Sequence, residues 1–255
     1  KALTLCNRAL EIFKANYGEE HPFVAVCYSA LCRIKKDMEL YDEALEDNEK
    51  SLQLARKIHG EIHPEMATKY FWRGYIYISQ DKLPEALECI NKMHEIELEY
   101  FGSQSPKVSR NLYELGRILM DMGRKEEALE KIQESLDKVK EYSGQCHPMV
   151  SDRLLDIAIT FNDVKMYDKA EECLKEAIEI QKSFYNINHW TLFPIYKELA
   201  VTLAAKGDYG QAFDLFEKAI KLRTKGTQFS YESEDLFLKL GDTCLDDDIM
   251  EAANA

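Results

Sequence analysis

The stretch YGEEHPFVA, Tyr17–Ala25, returns in altered form as HGEIHPEMA, His59–Ala67. Glycine, histidine and proline keep their places while the residues between them vary. The proline series runs Pro22, Pro64, Pro106 and Pro148, each 42 residues from the last, with Trp190 in the next place. The histidine before it recurs as His21, His63, His147 and His189, with Ser105 in the third slot; the glycine recurs as Gly18, Gly60, Gly102 and Gly144, then gives way to Asn186. A separate alanine series, Ala2, Ala44, Ala86, Ala128, Ala170 and Ala212, keeps the same interval. Two series in step mark a tandem array.

Each unit reads as two helices. After each proline, apolar residues recur at helical spacing, as in Val24, Tyr28, Leu31 and Cys32 or in Val108, Leu112, Leu115 and Gly116. A polar break such as KDMEL or DMGRK follows, then an alanine-led stripe such as Ala44, Leu45, Leu52 and Ala55. No β-branched alternation runs long enough for a strand. The repeated motif is then punctuation. Glycine ends one helix with a left-handed backbone, the histidine bonds or packs at the turn, and proline opens the next helix, where a missing N–H costs nothing.

Gly74, Gly116, Ala158 and Ala200 share one slot of the first helix, with Cys32 in the earliest copy, and the alanine series falls twelve residues later. Small residues at both places let two helix axes approach, with Leu115, Leu119, Leu129 and Ile132 filling the space around them. A single pair leaves an apolar face uncovered, so stability comes from stacking neighbours. Lys35 and Arg73 occupy slots that are otherwise apolar and are read as long stems passing the core.

The segments LYELGRILMDMGRKEEALEKIQESL and IYKELAVTLAAKGDYGQAFDLFEKAI resemble tetratricopeptide repeats, through the leucine–glycine step and the Gly-x-x-x-x-Ala spacing. The repeat of that family is ordinarily 34 residues; the longer second helix and the G-x-x-H-P loop are similar to the kinesin light chain subtype. The first-helix steps read YSALC, YFWRG, LYELG, LLDIA and YKELA in place of that subtype's Leu-Asn-Asn-Leu-Ala. The resemblance implies an all-α, right-handed α-solenoid of helix-turn-helix units over residues 1–255: a lone second helix at 1–17, helix pairs at 22–59, 64–101, 106–143, 148–185 and 190–225, and a partial repeat at 232–255. Both ends read as cut, as in a window from a longer chain.

Chemistry is sparse. His59 and His63 imitate a zinc pair, but the residue after His59 is Gly60, not the glutamate a zincin places on a continuous helix. Cys146–His147 sits in the same kind of loop. There is no phosphate loop, nucleophile elbow or kinase signature, so no catalytic residue, metal or cofactor is expected. Seven cysteines without a CxxC pair read as reduced thiols of a cytoplasmic protein, most of them core fillers. The net charge of −13 disfavours nucleic acid and anionic membrane as partners.

In a solenoid of this kind the first helices line a groove. Residues six and three before the small slot and one after it share a stripe. They are Val26, Ser29 and Arg33; Thr68, Phe71 and Tyr75; Arg110, Tyr113 and Arg117; Asp152, Leu155 and Ile159; Pro194, Lys197 and Val201. With Lys36 and Trp72 close by, the first three copies concentrate cations and rings in an acidic chain, whereas Asp152, Asp156, Asp163 and Glu198 turn the later copies acidic. Arginine and aromatic residues are enriched at binding hot spots. The candidate partner site is therefore Arg33, Lys36, Phe71, Trp72, Tyr75, Arg110, Tyr113 and Arg117, suited to an acidic peptide with an aromatic or apolar anchor, a preference similar to that of kinesin light chains. Other readings are a permanent subunit of a cytoskeletal or ciliary assembly, using aromatics such as Tyr100, Phe101, Phe184 and Tyr185, or a regulatory segment of a larger protein.

Overall fold

Pro22, Pro64, Pro106 and Pro148 each begin a helix in the computed structural model, which describes residues 1–185 and 189–224. Among those residues there are eleven α-helices and no strand. Helix α1 is Ala2–Tyr17. Five pairs follow: α2 (Pro22–Asp37) with α3 (Tyr41–His59), α4 (Pro64–Ser79) with α5 (Leu83–Phe101), α6 (Pro106–Asp121) with α7 (Lys125–Ser143), α8 (Pro148–Asp163) with α9 (Tyr167–Phe184), and α10 (Leu192–Ala205) with α11 (Tyr209–Thr224). The all-α, tandem helix-turn-helix reading holds. The partial repeat expected at 232–255 lies outside the described residues.

The chain divides into two compact units, Lys1–Lys138 and the part from Val139 onward. In the first, α2 packs on α3 and α4 on α5, and contacts of α1 with α2, α3 with α4 and α5 with α6 join one hairpin to the next. Leu52, Met66, Ile90, Met93, Leu115 and Ile118, drawn from four helices, form one core; no hairpin there shields its apolar face alone. In the second unit α8 pairs with α9 and α10 with α11, and α10 packs on both α8 and α9.

The loop histidines are helix caps. His21, His63 and His147 each accept at Nδ1, 3.2 Å from the backbone N–H two residues on. Ser105 does the same with its hydroxyl at 3.3 Å. These side chains satisfy amides that would otherwise lack a partner at the first turn. The glycines before them depart from a left-handed helical cap. Gly18 (φ 84°, ψ 172°) and Gly60 (φ 82°, ψ −178°) pair a positive φ with an extended ψ, a region open essentially to glycine alone.

Small residues set the approach of the paired helices. A Cβ on Gly116 would lie 2.6 Å from Ile132 Cγ1 and 3.1 Å from the Ala128 carbonyl oxygen. Two turns away the approach is bonded: the Ser109 hydroxyl donates to the Ser135 carbonyl at 2.9 Å, and the Ser135 hydroxyl returns to the Ser109 carbonyl at 2.7 Å. In the second unit Ser151 donates to the Ala177 carbonyl at 3.1 Å across α8 and α9.

Lys35 and Arg73 do more than run past the core. Lys35 Nζ lies 2.8 Å from Asp47 and 3.2 Å from Glu43. Arg73 Nε donates to Asn48 Oδ1 at 2.9 Å, and its terminal nitrogen pairs with Glu49. Each cation thus ties its own helix to α3. Of the described cysteines, Cys27, Cys32 and Cys89 are buried and Cys146 is exposed. Burial pushes the Cys32 and Cys89 thiols up to about 11, which keeps them protonated and unreactive.

Candidate partner-binding face

The candidate residues lie on the first helices of unit one, α2, α4 and α6. Phe71 and Trp72 meet edge to face on α4, with ring centroids 5.3 Å apart, and Phe71 and Tyr75 follow at 4.5 Å. Each ring carries an arginine from a neighbouring helix or repeat. Arg33 of α2 lies 5.4 Å over Trp72, Arg110 of α6 5.8 Å over Phe71, and Arg117 of α6 5.9 Å over Tyr75. Arg117 and Tyr75 stand 42 residues apart, in equivalent slots of successive first helices, while the other two pairs stand 39 apart, one turn off that register.

The three arginines are not equivalent. Arg117 is committed to the fold: it donates to Glu114 at 3.2 Å and to the Tyr75 hydroxyl at 3.3 Å, while that hydroxyl donates to Glu114 at 3.1 Å. Burial, followed by the Glu114 charge, pushes the Tyr75 phenol up. Arg33 and Arg110 are exposed, and each lies over a ring face. A guanidinium held flat on a ring keeps its donor edge for an incoming carboxylate.

Between α4 and α6 this face opens into a cleft of about 260 Å³, walled by Ala67, Phe71, Trp72 and Met93 with Lys107 and Arg110 also lining it. Two nearly buried carboxylates complete the lining, Glu114 (7% exposed) and Glu97 (9%). Asn111 donates to Glu97 at 2.8 Å. The sequence reading missed both acids. Glu114 shares its slot with Trp72 one repeat earlier, so the period could have flagged it. Glu97 comes from α5, a second helix, and no first-helix stripe contains it. Of the remaining candidates, Lys36 turns to its neighbour Asp37 at 3.4 Å, and Tyr113 is half-buried on α6.

A sequence model of the tetratricopeptide repeat family matches residues 1–57, 65–141 and 152–225. The chain belongs to the tetratricopeptide repeat family. Members of this family generally act as non-catalytic interaction scaffolds. No curated protein sequence matches the chain. Among solved structures, BtubC (BKLC) from P. vanneervenii matches with a TM-score of 0.67 at 17% identity, covering 90% of this chain and 93% of its own. The nearly identical TPR-like repeats of a Podosopora anserina putative kinesin light chain match with a TM-score of 0.64 at 20% identity, over 82% and 99% of the two chains. A Rap protein complexed with competence and sporulation factor matches with a TM-score of 0.60 at 15% identity, over 91% and 60%. These likenesses establish the tetratricopeptide fold of the chain.

In the second unit the corresponding face carries Asp152 and Asp163, both exposed, and Asn162 donates to Glu198 at 2.8 Å. At the loops, His59 and His63 stack at 4.2 Å with 10° between their planes, and His63 spends its Nδ1 on the cap. Among the described residues no group of three or more His, Cys, Asp or Glu is placed to hold a metal. None of the described helices is long and apolar enough to cross a membrane.

Proposed function

We propose that this tetratricopeptide array is a cytoplasmic adaptor of kinesin light chain-like type, and that the α2–α4–α6 face of its first unit binds a partner polypeptide non-catalytically. The ligand is an extended segment carrying carboxylates beside an aromatic or apolar side chain. One observation carries the reading: Arg33 and Arg110 lie on ring faces and, among the described residues, pair with no carboxylate, beside a cleft walled by Phe71, Trp72 and Met93. Carboxylates would meet the guanidinium edges as charge-assisted bonds, while the anchor enters between Phe71 and Met93. That a Rap protein of this fold has been solved complexed with competence and sporulation factor accords with a ligand-binding role.

The test is fluorescence anisotropy with a labelled peptide in which aspartates flank a tryptophan, against its asparagine counterpart. Binding should be salt-sensitive, and weakened at least about ten-fold both in the asparagine peptide and by Arg33→Ala with Arg110→Ala. Equal binding of the two peptides, or by a folded double variant, would refute the reading.

A further inference from the structure

On the other side of α4 the second repeat departs from the third and fourth, and the first departs in part, with Tyr28, Leu31 and Lys35 in the same slots. Three slots that hold Leu112, Leu115 and Leu119 in α6, and Leu154, Ile157 and Phe161 in α8, hold Tyr70, Arg73 and Tyr77 in α4. The six apolar residues are at most 5% exposed, whereas the three in α4 are only half-buried. Tyr70, Tyr77 and Leu87 still pack on the core, but beside them opens a cleft of about 760 Å³, bounded by α4 and α5.

Its chemistry is specific. Tyr70, Tyr77, Pro84 and Leu87 line it, and Arg73 reaches it with its fork already occupied by Asn48 and Glu49. Lys92 is paired with Glu95 at 3.0 Å. The charges left over are Glu85 and Glu88, both exposed and, among the described residues, in no hydrogen bond or ion pair. They stand three residues apart and so share a face of α5. Glutamates recur at these two slots in other repeats, as Glu43 and Glu46 and as Glu127 and Glu130. The acids therefore do not single out this repeat; the tyrosine-lined opening beside them does.

We propose that this cleft is a second docking site, and that it takes an arginine side chain of a partner polypeptide. A guanidinium is planar and weakly hydrated, so it can lie on a tyrosine face while its N–H edge meets the two carboxylates. An ammonium of lysine is more strongly hydrated and has no flat face to stack. Residues 70, 73 and 77 lie on the opposite stripe of α4 from Phe71, Trp72 and Tyr75. The site is thus separate from the arginine-lined face and opposite to it in charge preference, and its test does not depend on that face.

The probe is an acetylated, amidated Gly-Ser-Arg-Ser-Arg-Ser-Gly peptide, titrated into the isotope-labelled chain at low salt and followed by amide chemical shifts. Perturbation should centre on residues 70–77 and 84–92. Glu85→Gln with Glu88→Gln should weaken binding at least about five-fold, as should Tyr77→Leu, which installs the residue found in α6. Glu126→Gln with Glu130→Gln, the same charge change on α7, should leave it within about two-fold. The lysine version of the peptide should bind at least about three-fold more weakly. Shifts spread over the acidic surface, equal losses in the two glutamine double variants, unchanged binding by a folded Tyr77→Leu, or equal binding of the lysine peptide would each overturn the proposal.

Discussion

Gly116 faces Ile132 so closely that a Cβ would come to 2.6 Å from Ile132 Cγ1, with the Ala128 carbonyl oxygen at 3.1 Å. At the equivalent Gly74 the nearest atom is the Cδ1 end of Ile90, at 2.9 Å. Overpacking costs about 1–3 kcal/mol, while alanine gains about 1 kcal/mol of helix propensity over glycine. Gly116→Ala should therefore lower stability by up to about 2 kcal/mol, and Gly74→Ala should be close to neutral because a side-chain tip can move. Urea unfolding of the two variants checks the order.

The turn inside each hairpin holds one residue at positive φ, again 42 apart: Glu39 (61°), Asp81 (58°), Gly123 (75°), Lys165 (62°) and Gly207 (86°). Two repeats use glycine and three do not. A non-glycine residue there costs about 1–2 kcal/mol, partly offset by the freedom glycine loses on folding. Glu39→Gly and Lys165→Gly should each stabilise by about 0.5–1 kcal/mol, read as a raised denaturation midpoint.

His63 and Ser105 cap successive first helices through different atoms, Nδ1 and Oγ. His63→Ala should cost about 1 kcal/mol, and His63→Ser should recover most of it. If the ring acts only by stacking on His59, serine will do no better than alanine in thermal unfolding.

The Arg73 guanidinium holds the Glu49 carboxyl below its ordinary range. A carboxylate with a lowered folded value contributes stability above its unfolded value, about 4.3, and loses it as pH falls through the folded value. Glu49 is 44% exposed, so solvent screening limits the contribution to about 0.5 kcal/mol. Glu49→Gln should lower stability by that amount at pH 7 and match the parent at about pH 3, by denaturation at both.

The Tyr75 hydroxyl bridges α4 to the Glu114–Arg117 pair. Tyr75→Phe removes one donor from a half-buried network and should cost about 1 kcal/mol, leaving the ring beneath Arg117 in place. If the bridge also orders the partner face, peptide affinity will fall with it; a stability loss at unchanged affinity would separate the two roles.

Much of this architecture was legible because its causes are local. A glycine that alone tolerates the loop backbone, a cap atom two residues before the amide it serves and a proline in the first turn all act within a few residues, so the period shows them. The small-residue slot was legible for a related reason: one close crossing, repeated, leaves the same mark each time. The arginine–ring ladder was half legible. The stripe placed Arg33, Phe71, Tyr75, Arg110 and Arg117 on equivalent faces, but not which guanidinium is spent. Glu97 was invisible, since it enters the cleft from a second helix.

By itself, then, the order of residues determined where helices start and stop, which faces are apolar and how often the unit recurs, since each depends on neighbours one or two turns away. Only the tertiary structure decided that Arg117 is held by Glu114 and Tyr75 while Arg33 and Arg110 lie over rings, and that Tyr70 and Tyr77 line an opening where the third and fourth repeats bury apolar side chains. Those outcomes rest on distances between helices about 42 residues apart, and Coulomb and contact energies depend on separation in space, not along the chain.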